Sequence, residues 1–186
     1  MYCKKLKLDF ELDTSVLKNI QACYTKVDVP AIFKIKQTDI DPHLLNFLYQ
    51  LDLTVFHAEA FYTVPKGKLF IHIDSDRLSD NCKLNWVYGG SGSTMEWWER
   101  NNPNEPLTHK LTDIGTKYIF FDRNKCTKVW EEEIGQPSLV NVGIPHSVNN
   151  PNDEGRWCLS FVIYDLEKKQ VLQWADAVKK FSKWLT

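Results

Sequence analysis

The chain has 186 residues, with 23 Lys and Arg against 24 Asp and Glu, a formal net charge of −1. That balance argues against a general nucleic-acid binder, which carries a basic surplus. An apolar share of 43% and a charged share of 25% exclude a disordered chain, and a chain this long buries about 70% of its unfolded surface without help from metal or disulfide. No apolar run reaches the ~20 residues of a membrane helix, and MYCKKLKLDFELD does not read as a secretory signal. Cys3, Cys23, Cys82, Cys126 and Cys158 are odd in number and form no C-x-x-C pair, which fits reduced thiols in a cytoplasmic protein.

In chain order, the first forty residues alternate short apolar runs with polar breaks and predict short strands. Asp41 and Pro42 then stand as N-cap and first helical residue of a short helix over HLLNFLYQL. LTVFHAEAFYTV and KLFIHID, separated by the turn Pro65-Lys66-Gly67, predict an antiparallel pair. CKLNWVY, the turn Gly89-Gly90-Ser91-Gly92 and STMEWWE predict a hairpin; the turn lacks the Lys and following helix of a phosphate loop. Residues 100–115 predict an exposed loop. TKYIFFD, CTKVWEEE, PSLVNVGIPHSV and RWCLSFVIYD predict further short strands, with turns at Asp122–Asn124, Gly135–Pro137 and Asn149–Asn152. Val171, Trp174, Ala175, Val178, Phe181 and Leu185 line one face of a C-terminal helix, with Asp165 as its N-cap. About eight strands at regular spacing, flanked by helices, predict a mainly β single domain over 1–186: a sandwich, jelly roll or barrel.

The chemistry gathers on four residues. His72 and Asp74 are two apart on a strand and point to one face, with Ile71 and Ile73 on the other. His146 follows in VGIPHSV, and ten residues beyond it Arg156 opens an apolar strand, a costly place for a cation without an anionic partner. Two imidazoles and one carboxylate are the composition of the facial triad that holds Fe(II) and leaves positions open. An Arg offers the planar fork that a dicarboxylic acid needs.

With its surroundings, this pattern resembles the small Fe(II)- and 2-oxoglutarate-dependent oxygenases, prolyl or aspartyl hydroxylase-like members of the kind encoded by bacteriophages and cyanobacteria. H-x-D, a long β segment, His and an Arg ten residues on stand here as His72, Asp74, His146 and Arg156; LNWVYGG and GIPHSVNNPNDEGRWCLSF are similar to the family's flanking strands. The resemblance covers about residues 55–165. It implies a double-stranded β-helix (a cupin-like jelly roll) and Fe(II) held by His72, Asp74 and His146. It implies 2-oxoglutarate as co-substrate, bound through Arg156, and dioxygen as the oxidant. Decarboxylation to succinate would be coupled to hydroxylation of an amino acid, a peptide or a protein side chain. It also implies a cytoplasmic enzyme, in the host cell if phage-encoded, with no membrane or nucleic-acid partner.

Where many members have Ser or Thr two residues after the Arg, this chain has Cys158, with Ser160 one alternation further. Ser160, Asn85 and Tyr62 are the remaining candidates for the co-substrate. Trp86, Tyr88, Trp97 and Trp98 either line a substrate pocket or fill a β core, the latter being the plainer reading. Two rival functions stay open at this point: a cupin-like metal enzyme with no use for Arg156, and a non-enzymatic jelly-roll binding or virion module.

Overall fold

The computed structural model describes residues 1–135 and 137–186, so the turn expected at Gly135–Pro137 falls partly outside the described residues. The chain order is β1 (Cys3–Lys5), α1 (Ser15–Cys23), β2 (Ala31–Ile35), α2 (Pro42–Tyr49), β3 (Leu53–Thr63), β4 (Ile71–Ile73), β5 (Cys82–Tyr88) and β6 (Thr94–Arg100). β7 (Thr108–Leu111), β8 (Lys117–Phe121), β9 (Cys126–Glu133), β10 (Ser138–Asn141), β11 (His146–Asn149) and β12 (Arg156–Asp165) follow. β13 (Gln170–Val171) and α3 (Trp174–Lys180) close the chain.

Two antiparallel sheets result. One runs β1-β10-β5-β12-β3-β2, with β13 on β12, and the other β7-β8-β4-β11-β6-β9. Numbering β3, β4, β5, β6, β9, β10, β11 and β12 from one to eight, the two sheets read 6-3-8-1 and 2-7-4-5. That order is the eight-strand jelly roll, the double-stranded β-helix. It corrects two sequence expectations. β3 pairs with β12 and β2, not with β4; β5 pairs with β10 and β12, not with β6. Neighbours in sequence pass between the sheets, because each needs one face on the shared interior.

Alternation along β12 divides the molecule into layers. Trp157, Leu159, Phe161 and Ile163 face outwards and pack with Leu84 and Trp86 of β5, with Leu17 of α1, with Leu44, Phe47 and Leu48 of α2 and with Phe181. Arg156, Cys158 and Ser160 face the space between the sheets. A second cluster, Met95, Trp97, Ile134, Val140, Val142 and Val148, fills that space at the β6 and β10 side.

The helices follow local chemistry. The Asp41 carboxylate accepts the His43 amide at 2.7 Å and Pro42 takes the first helical position, as the sequence predicts. α1 replaces an expected strand: Val16, Leu17 and Ile20 share one helical face, and Asp13 accepts the Ser15 amide at 2.9 Å ahead of the first turn. Asp165 does not cap the last helix. It ends β12 and accepts the amides of Glu167 and Lys168, both at 3.0 Å, so it closes a turn instead, and α3 begins at Trp174. Residues 100–115 are not all loop: β7 pairs with β8 and extends the second sheet beyond β4. Among the described residues no helix is long and apolar enough to cross a membrane, and the five cysteines are free thiols.

Candidate metal centre

β4 and β11 lie side by side, and their register sets His72 opposite His146. Asp74 follows β4 by one residue, on the face of His72. The ligand atoms of the three residues all fall within 4.8 Å of one another. Asp74 Oδ1 is 3.1 Å from His72 Nε2 and 3.5 Å from His146 Nε2. Each imidazole is held from behind: His72 Nδ1 is 2.8 Å from the Phe70 carbonyl and His146 Nδ1 is 2.9 Å from the Ile144 carbonyl. A carbonyl only accepts, so both Nδ1 atoms carry the proton and both Nε2 atoms present lone pairs. Those lone pairs aim at Asp74 Oδ1, a buried oxygen without a hydrogen-bond donor. Three convergent acceptors repel one another unless a cation lies between them, and backbone-anchored imidazoles are how metal ligands are oriented. The residues present therefore fit a metal ion. Tyr118 stacks on His72 at 5.3 Å and 6°, fixing the ring further.

A buried ion network stands behind the carboxylate. Lys83 Nζ is 2.8 Å from Asp74 Oδ2 and 2.7 Å from Glu59 Oε2, and Glu59 Oε1 is 3.2 Å from His57 Nε2. Burial alone pushes the Asp74 carboxyl up, but the Lys83 ammonium and the two imidazoles outweigh it and hold it well below the ordinary carboxylate range. Burial pulls the Lys83 ammonium down, and Asp74 with Glu59 reverses this and holds it well above the ordinary lysine range. Burial, then the neighbouring His72, lowers His146, keeping its imidazole neutral.

A cavity of about 40 Å³ joins His72, Asp74 and His146 to Arg156, Ser160 and Asn85. Arg156 is buried with its Nε unpaired, and no carboxylate lies within ion-pair distance among the described residues. Burial lowers its guanidinium below the usual range, the mark of a cation that has lost water without gaining an anion. Gly90, at φ +59°, lets the backbone pass close over it, since a Cβ there would stand 2.8 Å from Arg156 Cβ. Ser160 Oγ donates to Asn85 Oδ1 at 2.7 Å. The Cys158 thiol sits beside Arg156, and burial raises it, so it stays neutral.

Four sequence candidates fall elsewhere, all through strand alternation. Tyr62 points to the outer face, packs on Trp157 at 4.8 Å and donates to the Val27 carbonyl at 2.8 Å. Trp86 also faces outwards, edge-on to Phe161 at 5.6 Å, and Tyr88 has the same parity. Trp97 is fully buried in the second cluster and donates from its indole to the Asn141 carbonyl at 2.9 Å. None of the four lines the cavity at the triad. Glu59 and Lys83, by contrast, carry the network that holds Asp74, and their signals were present: H-x-E on one strand face, and a Lys sharing the parity of Asn85 within an apolar strand.

A second cavity, about 360 Å³, opens on the other side of His72, lined by Phe61, Phe70, Tyr118 and Phe120 among others. A larger one, about 630 Å³, lies between α1 and β2, away from the triad.

No family model matches the chain, and no curated protein matches it. Solved structures similar to it include EvdO2 from Micromonospora carbonacea var. aurantiaca, at 14% identity and TM-score 0.45, covering 80% of this chain and 70% of that one. Another is the non-heme monooxygenase ThoJ in its apo form, at 16% identity and TM-score 0.41, covering 81% and 67%. An uncharacterized Klebsiella pneumoniae protein with a double-stranded β-helix domain is similar at 10% identity and TM-score 0.35, covering 81% and 95%. Oxalate decarboxylase is similar at 12% identity and TM-score 0.33, and there the chain spans only 26% of the other's length. Likenesses this distant bring no activity to this chain. The strand order itself makes the fold a double-stranded β-helix, with a His-Asp-His cluster between its sheets.

Proposed function

We propose that this protein is an Fe(II)- and 2-oxoglutarate-dependent dioxygenase, a hydroxylase of an amino-acid or peptidyl substrate, working in the cytoplasm. The observation that carries the reading is the convergence of two bare Nε2 atoms and Asp74 Oδ1, joined through one cavity to an unpaired, buried Arg156. His72, Asp74 and His146 would hold the iron. When bound, the iron supplies the redox chemistry that couples decarboxylation of 2-oxoglutarate to succinate with oxidation of the substrate.

The chain's own residues do the positioning. Lys83 engages Asp74 Oδ2 and leaves Oδ1 facing the imidazoles. Arg156 offers its guanidinium fork to the far carboxylate of the co-substrate, and Ser160 and Asn85 line the same space. Charge supports the pairing of ligands: Glu59 balances Lys83 and Asp74 balances Arg156, so a divalent cation and a dianion together keep the buried site neutral. Either alone leaves an uncompensated double charge.

The test is turnover. Protein supplied with Fe(II), 2-oxoglutarate and oxygen is expected to form succinate slowly without a prime substrate. Iron-loaded, folded protein that forms none speaks against the oxygenase reading.

A further inference from the structure

β2 is the last strand of its sheet. Among the described residues only β3 pairs with it, over Ala31–Ile35. Alternate residues of such a strand turn N–H and C=O outwards, so its free edge presents a row of unpaired donors and acceptors. Two cavities follow one another along this strand. Pro30, Ala31 and Ile32 line the cavity of about 360 Å³ that reaches His72. Phe33, Lys34, Ile35 and Lys36 line the one of about 630 Å³, closed opposite by Val16 and Ile20 of α1.

The charges along this track are uneven. Asp13, Asp39 and Asp41, in the wall of the second cavity, are engaged locally, accepting from Ser15, Thr38 and His43. Lys34 and Lys36 are exposed and make no ion pair among the described residues. Lys110, at the first cavity, lies over the Phe120 ring with no carboxylate partner among the described residues. Against these three free cations stands one free acid, Asp113.

We propose that the substrate is an extended, acidic peptide segment that adds as a strand to the free edge of β2 and delivers one side chain to His72 through the adjoining cavity. A free amino acid leaves the strand edge and the second cavity unused. A peptide strand satisfies the edge by main-chain hydrogen bonds and takes its selectivity from the flanking pockets. The edge lysines also discourage pairing between copies of this chain, and acidic side chains turn that repulsion into attraction. The proposal rests on the function above only in making the metal centre the destination of that side chain.

The test uses fluorescein-labelled, acetylated octapeptide pools with Glu at both ends and mixed residues between, read by anisotropy against the full chain. Matched pools carry Lys at the ends, or N-methyl groups on alternate backbone nitrogens. The Glu-ended pool is expected to bind saturably, and the Lys-ended and N-methylated pools about tenfold or more weakly. The double variant Lys34→Glu, Lys36→Glu is expected to lose about tenfold for the Glu-ended pool and to gain for the Lys-ended one. No saturable binding, equal binding of the two charged pools, or indifference to N-methylation overturns the proposal. The N-methyl comparison uses the parent protein, so it decides even where the double variant misfolds. Mn(II) titration of the same samples keeps the readings apart. Mn(II) binding without peptide binding overturns this proposal and leaves the metal centre standing. Peptide binding as expected without Mn(II) binding supports the docking edge and removes the metal reading.

Discussion

Lys83 Nζ lies 2.8 Å from Asp74 Oδ2, inside the protein and out of contact with solvent. The lysine thus ties a metal-binding carboxylate to a second buried acid, Glu59. Lys83→Met strands both carboxylates, and removing one partner of a buried network costs about 3–5 kcal/mol. Urea denaturation followed by tryptophan fluorescence measures this; an unchanged midpoint contradicts it.

The same network sets an acid limit. Asp74 and Glu59 both titrate below their ordinary values in the folded protein. Their contribution is complete above the unfolded carboxylate values and is lost as pH falls through the lower, folded ones. Metal-free protein is expected to hold its stability from neutral pH to about pH 5 and lose it below about pH 4. In Lys83→Met the loss begins at higher pH. Denaturation midpoints across that range test both statements.

Arg156→Met separates the co-substrate from the metal. Losing a desolvated Arg–carboxylate pair costs about 2–5 kcal/mol, roughly 30-fold to several-thousand-fold in 2-oxoglutarate affinity. Mn(II) affinity is expected to stay near that of the parent. Because Arg156 is a buried cation without an anionic partner, the variant is also expected to be at least as stable as the parent in the metal-free state. Calorimetric titration and thermal melts report the two effects; a variant that unfolds makes Arg156 a structural strand-end residue.

His72→Ala and Asp74→Ala are each expected to weaken Mn(II) binding by about 100-fold or more, while the large core keeps the fold. Isothermal titration with circular dichroism as control measures this. Parent-like binding in both variants removes the triad assignment.

Gly143 sits three residues before His146, and a Cβ there would lie 1.9 Å from the Ser79 carbonyl oxygen. Gly143→Ala is expected to cost about 1–3 kcal/mol and to weaken metal binding by moving the start of β11. Metal affinity that survives a clear loss of stability would show that β11 holds its place independently.

The sequence was most readable where chemistry is dense. The spacing of His72, Asp74, His146 and Arg156 pointed to residues that the structure brings into one cavity, though they lie on β4, β11 and β12 and just after β4. Most strands were legible as β-branched and aromatic runs. Their pairing was not, because a jelly roll sends consecutive strands to different sheets, and local turns such as Gly89–Gly92 carry no mark of which partner lies beyond them. Trp86, Tyr88 and Tyr62 were misplaced for a related reason. The side of a strand that faces the site depends on register, and one residue of parity moved each to the helix-covered face. α1 was missed because a nine-residue helix has only two turns in which to show its period. The Glu59–Lys83–Asp74 network was hidden because its members come from three separate segments and meet only across β12.

The most direct measurement is an anaerobic titration of 2-oxoglutarate into Fe(II)-loaded protein, watching for a visible charge-transfer absorption. The expected result is a saturable band that requires both iron and 2-oxoglutarate, that disappears in His72→Ala, and that needs far more 2-oxoglutarate in Arg156→Met. Folded parent protein that binds Fe(II) yet develops no band at saturating 2-oxoglutarate contradicts a dioxygenase and leaves a metal protein of another kind.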